Sequence, residues 1–257
     1  MTSIRLPVSG IEIDLRPPGG AEDVLLADVS APDWSIGVRL SEMIAESPRG
    51  PVDWGELPLT DADALLLAVR GSLVADTVRA DLVCANPECE EPFEIAFGLC
   101  EYLEHHVPDR PAGVVPLSEP GWFGLADEDE DVSFRLPRWR DLLEIGHADD
   151  PEGELRRRCI RPDDVSERLA ARVERTMEAM APSLSGALAA ECPECGERLE
   201  AQFDAQLFSL ADLSYRARSV YADVHLLASA YGWSEPAILA LPHDRRVRYA
   251  ELVRSIA

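Results

Sequence analysis

Two short cysteine pairs hold the residues best suited to chemistry in this chain: Cys84 with Cys89, and Cys192 with Cys195. Two thiolates separated by a tight turn present both sulfurs to one cation, and a second such turn completes a tetrahedron of the kind that suits zinc. Cys192 and Cys195 enclose two residues and precede Gly196, and glycine reaches the positive φ that such a turn tends to need. Cys84 and Cys89 enclose four, still within the spacing of zinc ligands, and Pro87 favours a turn between them. The expectation is therefore one site built from two distant halves, with Cys84, Cys89, Cys192 and Cys195 holding a single structural Zn2+. Four thiolates leave no coordination position open for water, which argues against metal-assisted hydrolysis.

Other readings of the cysteines compete with this one. They could be reduced and packed as small hydrophobes. A redox dithiol at Cys192 and Cys195 should follow a strand and open a helix, whereas Leu199-Glu200-Ala201-Gln202-Phe203-Asp204 alternates onward like a strand. Cys100 and Cys159 have no ligand near them at knuckle spacing, and burial is expected of both. His105-His106 could offer a nitrogen to the nearby knuckle, but such a pair is more often a polar helix end.

The 257-residue length allows one large or two small domains with a real core. No run of about 18 apolar residues and no leader pattern is present, so the reading is a soluble, cytoplasmic protein without a membrane segment. In that reducing compartment the six cysteines favour metal over disulfides. With 24 basic and 48 acidic residues the net charge is −24, which repels nucleic acid and anionic lipid and suits basic protein surfaces. Lysine is absent, which excludes a Walker-type phosphate loop, a Schiff-base enzyme and an ordinary kinase. Gly-x-Ser-x-Gly, His-Glu-x-x-His and Gly-x-Gly-x-x-Gly are missing too.

The same order of features runs twice along the chain. Leu15-Arg16-Pro17-Pro18-Gly19-Gly20-Ala21-Glu22-Asp23 and Phe134-Arg135-Leu136-Pro137-Arg138-Trp139-Arg140-Asp141 both read as strand, turn and helix start. Thr60-Asp61-Ala62-Asp63 before Leu65, Leu66, Val69 and Leu73, and Asp163-Asp164 before Leu169, Val173, Met177 and Met180, both read as a polar cap and an apolar helical stripe. Each helix leads into a cysteine pair and an alternating strand, Phe93 to Phe97 and Leu199 to Phe203. The predicted fold is α+β: two pseudo-duplicated repeats of hairpin, helix and zinc knuckle sharing one zinc, then a helical tail. Residues 1–107 form the first repeat, 108–131 an acidic Pro/Gly linker containing Asp127 to Asp131, 132–212 the second repeat and 213–257 the tail.

Around this frame, Ile4 to Leu15 reads as two strands about a Ser-Gly turn, and Trp34 to Ala45 as a helix. The apolar residues Leu207, Leu210, Leu213, Val220, Val224, Leu227 and Ala228 recur at helical spacing. Gly232 stops that pattern, Ser234 caps a short helix from Glu235, and Asp244 to Ile256 is a final helix. His225 among apolar neighbours reads as a core histidine, and Tyr221, Tyr231, Trp233 and Tyr249 as core aromatics, part of which could be a docking face.

Taken together, these segments resemble a family of zinc-knuckle proteins encoded in the baseplate clusters of contractile phage tails and bacterial contractile injection systems, often labelled baseplate hub assembly chaperones. The resemblance rests on Arg16 to Asp23, the helix start from Asp61 to Arg70, both cysteine pairs, Phe134-Arg135-Leu136-Pro137, and Val224-His225-Leu226-Leu227-Ala228 through Tyr231-Gly232-Trp233-Ser234-Glu235 to Ile238-Leu239. It covers most of the chain and is most specific in the last 70 or so residues. Departures are the four residues between Cys84 and Cys89 and a long acidic linker. The resemblance implies a non-enzymatic assembly factor or minor structural subunit whose partners are baseplate hub or spike proteins, while the net charge argues against nucleic acid as a partner. The alternative is a zinc-ribbon adaptor in transcription or RNA handling. Such modules normally set arginine about the knuckle, but here Glu88, Glu90, Glu91 and Glu94 flank one pair and Glu191, Glu194, Glu197 and Glu200 the other.

Overall fold

The alternating residues at the N-terminus make a hairpin. In the computed structural model, which describes residues 2–29, 33–125, 131–146 and 148–256, β1 (Thr2–Arg5) pairs antiparallel with β2 (Glu12–Leu15). Helix α1 (Gly20–Ala27) follows, then α2 (Trp34–Ile44), whose first turn is capped by the Asp33 carboxylate accepting from the Ser35 N–H. A short strand β3 (Ala45–Glu46) adds to β2. Helix α3 (Leu59–Leu73) is buried on all sides through Ala62, Leu65, Leu66, Leu67 and Val69, the pattern of a helix enclosed by its neighbours.

Strands β4 (Thr77–Val83) and β5 (Pro92–Gly98) form a separate two-stranded ribbon, and α4 (Leu99–His105) continues from it. A four-stranded antiparallel sheet is then built from β6 (Val114–Pro116), β7 (Trp122–Leu125), β8 (Val132–Arg135) and, after helices α5 (Trp139–Ile145) and α6 (Pro151–Cys159), β9 (Ile160–Arg161). Helix α7 (Glu167–Met180) turns Leu169, Val173, Met177 and Met180 onto Phe134 and Ile160 of that sheet, as its apolar stripe predicts. A second ribbon, β10 (Gly186–Glu191) with β11 (Arg198–Phe203), precedes α8 (Ala205–Ala217), α9 (Val220–Tyr231), α10 (Glu235–Leu239) and α11 (His243–Ile256).

The architecture is α+β, with helices and small antiparallel sheets. The largest core joins Leu25, Leu40, Leu65 and Trp139 with Leu210 and Leu213 of α8. Backbone bonds tie the chain's halves together: the Leu59 N–H donates to the Pro137 carbonyl at 3.1 Å, and the Trp139 N–H to that of Leu57 at 3.0 Å. The Trp139 ring lies so close to Gly37 that a Cβ there would come within 2.5 Å of it, so glycine is what lets α2 approach. Among the described residues no helix is long and apolar enough to cross a membrane.

Several expectations give way to tertiary contacts. The segment 108–131, read as a linker, contributes β6 and β7 to the sheet and buries Val114, Trp122 and Leu125. Asp127 to Glu130 lie outside the described residues. The boundary at 212/213 falls inside α8, and the apolar run from Leu207 to Ala228, read as helical, forms two helices that meet at Arg218 and Ser219. Asp61 does not cap its own helix. Its carboxylate accepts from the Val8 and Ser9 N–H groups of the N-terminal turn at 2.7 and 2.9 Å, while Thr60 Oγ1 donates to the Pro182 carbonyl. Ser166, not Asp163 or Asp164, caps α7. His225 is exposed, and among the described residues the buried histidine is His243. Tyr231, Trp233 and Tyr249 do cluster; Tyr231 and Trp233 stack at 4.9 Å at the surface, while half-buried Tyr249 packs against the small core there. The small core beneath them is already filled by Leu227, Ile238 and Ala250, and Tyr221 turns away to hydrogen-bond Asp28.

Candidate metal centre

Each cysteine pair sits on the turn that closes a ribbon. In the first, the Cys84 N–H donates to the Glu91 carbonyl at 3.0 Å, and the Cys89 and Glu90 N–H groups both donate to the Asn86 carbonyl. Asn86 Oδ1 also accepts from the Glu88 N–H, so this one asparagine organises the longer turn. Glu90 takes the left-handed φ of 47° that the extra residues impose. In the second, the Cys192 N–H donates to Glu197 and the Gly196 N–H to Cys192, both at 2.9 Å, with Gly196 at φ 74° as its position after the pair predicts.

Aromatic packing at the other end of the ribbons aims these turns at each other. Phe97 of β5 and Phe203 of β11 meet edge to face at 5.6 Å, and the Tyr102 ring of α4 lies 5.0 Å from Phe97 and 5.7 Å from Phe203. Leu67, Val78, Leu99 and Leu184 are buried around them, and the Tyr102 hydroxyl donates to the Leu184 carbonyl at 3.1 Å. Both ribbons thus rise from one apolar base.

At their tips the sulfurs converge. Cys84 Sγ lies 3.5 Å from Cys195 Sγ, Cys89 Sγ lies 3.9 Å from Cys192 Sγ, and all four are within 4.8 Å of one another. A zinc tetrahedron with Zn–S of about 2.3 Å has sulfur edges of about 3.8 Å, whereas a disulfide is about 2.05 Å long. The cysteines are free, and these four are positioned to bind a metal ion. The donor set and its edge lengths fit Zn2+.

The thiols cannot ionise independently. Backbone N–H groups of Cys195 and Glu194 pull Cys192 down to about 7 against the effect of burial. The backbone at Asn86 pulls on Cys84 in the same direction, but burial and the three neighbouring sulfurs outweigh it and push that thiol up to about 12. Cys89 is raised too: the backbone at Glu91 lowers it, but burial and the sulfurs of Cys195 and Cys192 prevail. Four thiols this close share protons, and a divalent cation is what allows them to release those protons together. Asn86 Nδ2 adds a long contact of 3.9 Å to Cys195 Sγ. Outside the sulfurs, Glu88, Glu90, Glu91, Glu94, Glu191, Glu194, Glu197 and Glu200 are all exposed, so the rim is acidic.

The remaining candidates lie elsewhere. His105 and His106 end α4, their Nδ1 atoms 2.7 Å from the Glu101 and Tyr102 carbonyls, and do not join the sulfurs. Cys159 is buried in the core beneath the four-stranded sheet, which pushes it up to about 12. Cys100 is exposed, contrary to expectation, because the first turn of α4 directs Leu99 inward and the next residue outward, toward Asp76 at 3.8 Å. Sequence reasoning missed Phe97, Tyr102 and Phe203 as the residues that align the ribbons. The available signal was a phenylalanine near the end of both alternating strands.

Fold and site together define an α+β protein carrying a four-cysteine centre poised for a metal ion. Comparison with family models, with curated proteins and with solved structures finds no match to this chain.

Proposed function

We propose that the four cysteines hold one structural Zn2+ and that the chain is a non-enzymatic assembly factor or minor structural subunit of a contractile baseplate hub. The convergence of four sulfurs from two distant ribbons, with edges of 3.5 and 3.9 Å, carries the zinc reading. A closed set of four thiolates gives the ion a structural task and leaves it no position for substrate.

A pseudo-duplication of the two halves is supported by one device that occurs twice. Arg16 pairs with Glu22 at 2.5 Å, and Arg135 pairs with Asp141 through two bonds of 2.6 and 2.7 Å. Each carboxylate also accepts the backbone N–H just before its helix, from Gly19 at 2.6 Å and from Arg138 at 2.8 Å. In both halves a long helix precedes the ribbon, α3 in one and α7 in the other.

The baseplate half of the reading rests on the resemblance and on an acidic surface that suits basic protein partners. The exposed C-terminal aromatics are the natural docking residues. Metal analysis of purified protein should return one zinc per chain. Tagged protein expressed with its neighbouring genes should retain hub or spike proteins. Failure to retain them, with a gene unlinked to sheath and tube genes, would remove the baseplate half and leave the zinc half standing.

A further inference from the structure

Away from the sulfurs, a half-enclosed cavity of about 300 Å3 opens between the first turns of α3 and α8. Its floor carries Asp63 and Gln206, which are 5% and 2% exposed. Gln206 Nε2 donates to Asp63 Oδ1 at 2.7 Å, which leaves Gln206 Oε1 buried without a donor. The Ser185 hydroxyl reaches Asp63 as well, while its oxygen accepts the Ala205 N–H at 2.9 Å. Among the described residues no arginine pairs with Asp63. Burial and the neighbouring Asp204 carboxylate push it up to about 7.

A buried carboxyl beside an orphaned acceptor costs stability that an apolar pair of similar shape would not. What these two groups lack is a cation with several donors. Guanidinium supplies both, offering five N–H groups in a planar fork that can serve a carboxylate and a second oxygen together. The cavity wall matches the rest of an arginine. Trp34, Leu59 and Leu142 line it, an apolar wall against which the aliphatic stem can pack. The volume is at the lower end for a ligand pocket and ample for one side chain.

We propose that this cavity receives an arginine side chain from a protein partner. The proposal adds the chemistry of one contact to the reading above and rests on it only for the partner's being a protein. Neither the zinc nor the baseplate assignment enters its test, so either can fail without deciding the other.

The test titrates the full chain with acetyl-Ala-Arg-Ala-amide, and with the same peptide carrying citrulline, while following the Gln206 side-chain amide signals by NMR. Saturable shifts with the arginine peptide are expected, with binding weakened by about tenfold or more for citrulline and for the Asp63→Asn chain. Asparagine preserves the shape, so Asp63→Asn should melt no lower than wild type, separating lost binding from lost fold. A control, Glu152→Gln, changes an exposed carboxylate outside the cavity and should bind like wild type. The proposal is overturned by unsaturable shifts, by equal binding of citrulline, by full binding to Asp63→Asn, or by an equal loss in Glu152→Gln.

Discussion

Removing one sulfur should do more than remove one ligand. In a Cys192→Ser chain three thiols remain on their turns, but the proposed zinc loses a quarter of its donors and the ribbons lose their link at the tips. Structural zinc contributes on the order of 10 kcal/mol in small peptides, and a core of this size absorbs part of that loss. The expected outcome is metal content falling well below one ion per chain and a melting temperature lower by about 10 °C or more. Cys100→Ser, at an exposed sulfur 3.8 Å from Asp76, should stay within about 0.5 kcal/mol of wild type. Melting unchanged by a strong chelator would end the structural role. Asp63 makes a second prediction. Its carboxyl is raised from 3.8 to about 7 in the fold, so the folded chain holds that proton more tightly than the unfolded one. The penalty is absent below about pH 4, grows as pH rises toward 7 and is constant above it. Asp204, Glu178 and Tyr102 are the titratable groups about the site. Asp63→Asn should therefore stabilise by on the order of 2 kcal/mol at pH 8 and by almost nothing at pH 4, read from paired thermal melts. The thiols were legible in the sequence because their chemistry is set by residue type and local spacing. Asp63 looked like part of a helix cap because its burial depends on α8, far away in the chain.

At the level of elements, the ribbons must be aimed before the metal can bind cheaply. Phe203 is 7% exposed and touches Phe97, Tyr102 and Phe208. Phe203→Ala should destabilise the chain by about 3–5 kcal/mol, and should speed loss of zinc to a competing chelator although all four ligands are intact. A chelator rate equal to wild type would mean that the turns, not the aromatic base, set the geometry. The strand after each cysteine pair was visible as alternation, since a ribbon with one buried face writes its period into the chain. Segment 108–131 was not, because β6 and β7 are three and four residues long and gain their stability from pairing with each other and, through β7, with β8. The break at Arg218 and Ser219 was hidden for a related reason: α8 and α9 each keep a helical period, and nothing in that period records a change of direction.

Across the whole molecule, the C-terminal helices are fastened to the first one by charge. Asp23 of α1 is 1% exposed and accepts from His243 at 2.9 Å and from Arg246, while Arg216 of α8 lies 3.8 Å away. Arg246, with no exposed surface, also faces Asp223 of α9 at 3.8 Å, and Arg254 donates to Asp223 at 2.7 Å. Burial alone would raise the Asp23 carboxyl, but the hydrogen bonds from His243 and Arg246 outweigh it and hold the group below the ordinary carboxylate range. A depressed folded pKa contributes stability that is present above the unfolded value of 3.8 and is lost as pH falls through the lower folded one. Acid should therefore release α9 to α11 from α1 before the central core opens, seen as early loss of amide protection confined to those helices. Arg246→Met leaves Asp23 and Asp223 buried without their shared cation, and should cost about 3–5 kcal/mol at pH 7. Pairing it with Asp23→Asn should recover part of that loss, because the penalty belongs to the stranded charge and not to the missing bond. Arg245→Met, one position earlier on the exposed side of α11, supplies the comparison. Equal melting of the two single variants at pH 7 would show that this network holds nothing together.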